Sequence, residues 1–129
     1  MKVFIADDSR MFLERLSDLL KENPAVRLVG SAGNVPDAIH CIQEANPDAL
    51  ILDLHMPGGS GLDVLRAIRR KHPSLCVLIC TNYPLPEYRR QCLTAGADFF
   101  LDKSVEFEKI PLILSELIRS DMKAARAGK

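Results

Sequence analysis

Five positions carry side chains suited to chemistry at a metal ion or at phosphorus. They are the adjacent acids Asp7 and Asp8, the lone acid Asp53, the hydroxyl of Thr81 and the amine of Lys103. Two carboxylates about 5 Å apart repel by roughly 3 kcal/mol at an effective dielectric near 20. Three together need compensation. A hard, oxygen-seeking cation supplies it, and Mg²⁺ fits because it takes few carboxylates and keeps waters. An Asp is ionised at neutral pH, so it attacks without a general base, and carboxylates do form acyl phosphates. A neighbouring ammonium and hydroxyl can then hold phosphoryl oxygens electrostatically. Taken singly, each residue has an ordinary use. Asp7, Asp8 or Thr81 could cap a helix, Asp53 could start a turn, and Lys103 could be a surface charge. The chemical reading depends on whether the fold gathers them.

The hydrophobic pattern predicts that it does. Apolar runs at residues 3–6, 26–30, 49–52, 75–80 and 98–101 read as strands. Helical patterns alternate with them. Ser9 caps a helix with Leu13, Leu16 and Leu20 on one stripe, ended by Asn23-Pro24. Residues 37–45 turn Ala38, Ile39, Ile42 and Ala45 inward. Residues 62–71 use Leu62, Leu65, Ile68 and the stem of Arg69. A fourth helix begins at Pro86 and stops at Gly96. The last starts near Pro111, because a proline deeper inside would break it. Alternating strands and helices predict βαβ units and a parallel sheet. The third and fourth strands are apolar throughout, as strands covered on both faces are. In an open parallel sheet, sites form outside the carboxyl ends of the strands. The first strand ends at Asp7-Asp8, the third at Asp53, the fourth at Thr81-Asn82 and the fifth at Asp102-Lys103. The second ends in Ala32-Gly33-Asn34 and supplies nothing comparable.

A length of 129 residues predicts one domain. The 17 basic and 17 acidic side chains cancel, so no basic surplus points to nucleic acid. No run approaches the roughly 18 apolar residues of a membrane span, and the first residues lack the apolar core of a secretory signal. A cytoplasmic protein is expected. Cys76 and Cys80 fall on one face of a strand, and Cys41 and Cys92 fall in helical patterns. No zinc-type spacing occurs, so reduced thiols are expected.

With these residues placed, the chain resembles the receiver domain of bacterial two-component response regulators along nearly its whole length. The matching motifs are Asp7-Asp8, the stretch from Asp53 through His55, Met56 and Pro57 to Gly61, then Thr81, Gly96-Ala97-Asp98 and Asp102-Lys103. The resemblance implies an α/β, doubly wound, five-stranded parallel sheet of the flavodoxin-like order 2-1-3-4-5, with helices on both faces. It implies that Asp53 takes a phosphoryl group from a sensor histidine kinase or phosphotransfer protein. Asp8, Asp53 and the backbone carbonyl of His55 would bind Mg²⁺, with Asp7 acting through water. Thr81 and Lys103 would contact the phosphoryl group. Phe100 falls at the aromatic switch position, and its movement with Thr81 would reshape the surface of the fourth helix, fifth strand and fifth helix. His55, Asn82 and Tyr83 would tune the phosphoryl lifetime.

Three departures from the family pattern stand out. Ser104 follows Lys103 where many members have a cis proline. A cis bond before serine costs about 3 kcal/mol, so a trans bond is expected. Asn82 stands where small residues are common and narrows access to the phosphate, and Asp102 adds negative charge. Slow dephosphorylation is the expected result.

Other classes fit less well. An Asp-based phosphatase would carry D-x-D after the first strand. A dinucleotide fold needs glycines in a turn that here reads Ala6-Asp7-Asp8-Ser9-Arg10. Gly58-Gly59-Ser60-Gly61 lacks the Lys-Thr or Lys-Ser of a P-loop, and the Ser/Thr-rich loops of a flavin site are absent. Two related readings remain beside a stand-alone switch that is not itself an enzyme. One is the receiver part of a DNA-binding transcriptional regulator. The other is a phosphorylation-independent binding module, against which the intact acids, Thr81 and Lys103 argue. The receiver is expected over residues 1–121, with 122–129 as a tail or the start of a linker. Homodimerisation through the last two helices is expected, and direct contact with nucleic acid or membrane is not.

Overall fold

A computed structural model describes residues 1–127. Five strands form one parallel sheet: β1 (Lys2–Ala6), β2 (Arg27–Ala32), β3 (Ala49–Leu52), β4 (Cys76–Thr81) and β5 (Phe99–Asp102). Their order is β2-β1-β3-β4-β5, as the resemblance implies. The helices are α1 (Arg10–Leu20), α2 (Val35–Ala45), α3 (Gly61–Ile68), α4 (Pro86–Thr94) and α5 (Lys109–Ala127). A two-residue antiparallel ribbon, His55–Met56 with Gly59–Ser60, shapes the loop after β3.

Successive strand residues point to opposite faces, so the sheet divides the interior into two apolar layers. On one face Phe4, Leu50, Leu52, Val77 and Ile79 meet Ala38 and Ile42 of α2, Leu65 and Ile68 of α3, and Cys92 of α4. On the other, Val3, Ile5, Ile51, Leu78 and Cys80 meet Phe12 and Leu16 of α1 and Ile110 and Leu114 of α5. The fully apolar β3 is buried on both sides for this reason. Among the described residues no helix is long and apolar enough to cross a membrane.

Local chemistry sets the element ends. Ser9 Oγ accepts from the Phe12 amide at 3.2 Å, and Asn34 Oδ1 accepts from the Asp37 amide at 2.9 Å. Ser60 and Asp63 form a reciprocal capping box on α3. Gly96 leaves α4 at φ 107°, a conformation that favours glycine. Several bounds differ from the sequence-based expectation. β2 runs on to Ala32 because its partner β1 runs to Ala6. The buried stripe of α1 is Phe12, Leu16 and Leu20, with Leu13 only half-buried at its flank. The helix α3 ends at Ile68, and residues 69–71 turn away. α5 starts two residues before Pro111, which its first turn tolerates because no intrahelical N–H bond is due there. It continues through the expected boundary at 121 to Ala127; residues 128–129 of the expected tail lie outside the described residues.

All four cysteines are free, and Cys76 and Cys80 share the α1/α5 face as expected. Burial pushes the Cys76 and Cys80 thiols up to about 12 and that of Cys92 up to about 11.

Candidate functional site

The sheet ladder carries the acids outward by one residue. The Asp7 amide donates to the Ala32 carbonyl and the Asp53 amide to the Ala6 carbonyl, each at 2.9 Å. Both carboxylates stay buried, at 1% and 5% exposure, while Asp8 is exposed beside them. One oxygen from each of Asp7, Asp8 and Asp53 lies within 4.8 Å of the others. The loop after β3 folds back tightly. The Gly61 amide donates to the Leu54 carbonyl at 2.9 Å, and a methyl at Gly61 would run into the Asp53 carbonyl.

β4 and β5 bring the other two groups. The Thr81 carbonyl accepts from the Lys103 amide at 2.8 Å, so the ladder sets where the lysine leaves the sheet. Its Nζ lies 2.6 Å from Asp7 Oδ2 and 3.5 Å from Asp53 Oδ2, and no other donor reaches that Asp7 oxygen. Thr81 is fully buried, and its Oγ1 accepts from the Tyr83 amide at 3.1 Å. The hydroxyl hydrogen is left free to donate elsewhere. No cis peptide bond occurs among the described residues, so Lys103–Ser104 is trans.

Burial and then the Asp7 charge raise the Asp53 pKa, and Lys103 and the His55 amide (3.4 Å) only partly oppose them. For Lys103 burial alone would lower the pKa, but the bond to Asp7 and the Asp53 charge outweigh it and the net direction is up. Three carboxylates against one ammonium leave an excess of two negative charges. An all-oxygen set with that excess, including a buried Asp7 oxygen that lacks a second donor, fits a hard divalent cation.

Asp7, Asp8, Asp53 and Lys103 thus meet, with Thr81 at the end of the neighbouring strand. The His55 side chain instead faces outward, edge-on to Tyr83 at 4.7 Å and to Tyr88 at 5.9 Å between ring centroids. Asn82 and Tyr83 are exposed just past β4. Phe100 is not in the acid cluster: its ring is packed in the α2/α3/α4 layer at 8% exposure. No pattern in the sequence singles out Phe12, Tyr88 or Glu106, which the structure places against Lys103, His55 and the Asp102 amide. An aromatic at a helical spacing reads as core, and a glutamate four residues past a strand end reads as solvated surface.

A profile of the response regulator receiver domain matches residues 3–115. The DNA-binding transcriptional activator DevR/DosR of Mycobacterium tuberculosis is 34% identical over 106 residues, covering 82% of this chain and 49% of that protein. The transcriptional regulatory protein YvfU of Bacillus subtilis is 34% identical over 126 residues, covering 98% and 61%. The chain therefore spans between 49% and 61% of the length of these two relatives. Among solved structures, the isolated REC domain of RcsB from Salmonella enterica serovar Typhimurium with phosphomimetic BeF₃⁻ superposes with a TM-score of 0.84 at 27% identity, covering 92% of this chain and 88% of that one. The response regulator domain of Thermotoga maritima CheB gives 0.81 at 27% identity, covering 95% and 96%. Strand order and sequence agree, and the chain belongs to the response regulator receiver domain family of two-component signalling.

Proposed function

We propose that this receiver domain switches by phosphorylation of Asp53, supplied by a sensor histidine kinase or phosphotransfer protein. The observation that carries the reading is Lys103 Nζ standing between Asp7 Oδ2 and Asp53 Oδ2, where a phosphoryl oxygen on Asp53 needs a cation. An Asp53 carboxylate oxygen attacks phosphorus, the bond from phosphorus to the donor breaks, and the donor leaves with the electron pair. Lys103 then exchanges its Asp53 contact for a phosphoryl oxygen, and the free Thr81 hydroxyl hydrogen donates to another. Asp8, Asp53 and the His55 carbonyl would hold Mg²⁺ directly and Asp7 through water. A cation held there would supply positive charge to the phosphoryl oxygens. The chain catalyses only its own phosphorylation and dephosphorylation on this reading.

The output surface is α4, β5 and α5. Phe100 lies under it and Thr81 ends the adjacent strand, so a pull on Thr81 is felt by the Phe100 ring. Because that ring is already inward, phosphorylation stabilises its packing rather than creating it. His55, Asn82 and Tyr83 flank the approach to Asp53 and tune how fast water removes the phosphoryl group. We assign residues 1–121 to the receiver and 122–129 to a tail or linker, and place the protein in the cytoplasm. Pairing of two copies through the output surface would follow phosphorylation. The length and names of DevR/DosR and YvfU favour a second reading, in which this domain controls a DNA-binding output region.

Incubation with Mg²⁺ and acetyl phosphate tests the central claim. Intact-mass spectrometry should show one phosphoryl increment on the wild type and none on Asp53→Asn or after chelation of Mg²⁺. An unmodified wild type, or an increment that survives in Asp53→Asn, overturns it.

A further inference from the structure

The residue after Lys103 is Ser104, which brings no ring to stiffen the loop. Two other features fix the lysine. The first acts on its backbone. β5 is an edge strand, so alternate N–H groups face away from the sheet. The Lys103 amide faces in, to Thr81. The Asp102 amide donates to Glu106 Oε1 at 3.0 Å. The Glu106 amide returns a bond to the Asp102 carbonyl at 2.8 Å, and the Ser104 amide donates to Asp102 Oδ1 at 2.9 Å. Lys109 Nζ holds the other Glu106 oxygen at 2.9 Å. Residues 102–106 thus close into one turn with Lys103 inside it.

The second feature acts on the ammonium. Lys103 Nζ lies 4.5 Å from the centroid of the Phe12 ring. That ring packs edge-on against Phe107 at 5.6 Å, and the Arg15 guanidinium covers Phe107 at 5.0 Å. Phe107 follows Glu106 directly, so the carboxylate and the backing ring come from one turn. An aromatic face attracts a cation without consuming an N–H donor, and an ammonium has three. The lysine is drawn to one place while its donors stay free for Asp7, Asp53 and an arriving phosphoryl oxygen.

We propose that Glu106 and Phe12 are positioning residues for Lys103, Glu106 through the backbone at the end of β5 and Phe12 through its ring under the ammonium. The inference rests on the Asp53 reading above. It predicts that both residues act only through the lysine.

Double-mutant cycles on the full chain test this, with Mg²⁺ present and acetyl phosphate varied to separate the maximal rate constant of Asp53 phosphorylation from the half-saturating donor concentration. Glu106→Ala and Phe12→Leu should each lower that rate constant about three- to tenfold. Neither should cause a further loss in a Lys103→Met background. Glu106→Gln keeps an oxygen for the Asp102 amide and Phe12→Tyr keeps a ring, so both should stay within about twofold of wild type. Equal losses in both backgrounds would mean general structural damage and overturn the proposal, as would folded variants with no loss. If Phe12→Leu does not fold, the Glu106 arm, half-exposed at the sheet edge, decides alone. A wild type that takes no phosphoryl group, or an unchanged rate in Lys103→Met alone, removes the reading of the site instead.

Discussion

Asp53 carries a charge that its surroundings oppose. Burial and Asp7 raise its pKa above the ordinary value of 3.8, so the folded protein binds that proton more tightly than the unfolded chain does. Below the unfolded value both states are protonated and nothing is lost. As pH rises through the folded value the penalty grows, and above it the penalty is complete. Asp53→Asn removes the charge and, with Mg²⁺ chelated, should melt above wild type at pH 7. The gain should vanish as pH falls to around 4. Calorimetry at the two pH values checks this, and a variant less stable than wild type at pH 7 contradicts it. The five side chains gathered at the strand ends were legible in the sequence because each lies at or just past the end of an apolar run, and a run's end fixes a position. Glu106 was not, because an acid four residues past a strand end reads as solvated surface, and Phe12 was not, because its contacts with Lys103 and Phe107 come from the loop after β5 crossing to α1. No local pattern encodes that crossing.

The elements hold the site through close backbone approaches. Gly61 begins α3 where there is no space for a methyl against the Asp53 carbonyl. Gly61→Ala should therefore cost about 3 kcal/mol in urea unfolding. It should also slow phosphorylation, because relief of the clash moves the end of β3. Wild-type stability would mean the loop yields freely. At the far end of α3, Arg69 does what its sequence position does not advertise. Its guanidinium donates to the carbonyls of Gly96, His72 (3.0 Å) and Leu75 (2.6 Å) and pairs with Asp98 at 3.1 Å. Asp98 in turn accepts from the Val77 amide at 2.8 Å. The periodicity of α3 marked only the stem of Arg69 as inward, since hydrophobic spacing carries no information about where a long polar tip ends. Strand positions were read well because both faces of the sheet are covered. Helix ends were read less well, because the last turn depends on caps and neighbours rather than on spacing.

At the scale of the whole molecule, the sheet order and the placing of helices on both faces followed from alternation and resemblance together. Less visible was how completely the sheet separates the two apolar layers. Ile68 of α3 is buried in one and Ile110 of α5 in the other. Ile68→Val and Ile110→Val should each cost about 1 kcal/mol. The double variant should cost their sum to within about 0.5 kcal/mol. Urea titration of the four proteins measures this, and a larger shortfall or excess would show that strain crosses the sheet. If the costs add, a substitution that loosens one layer makes no demand on the other. Either interior can then exchange its side chains over generations while the other stands still, and a relative can keep this backbone with little of this sequence.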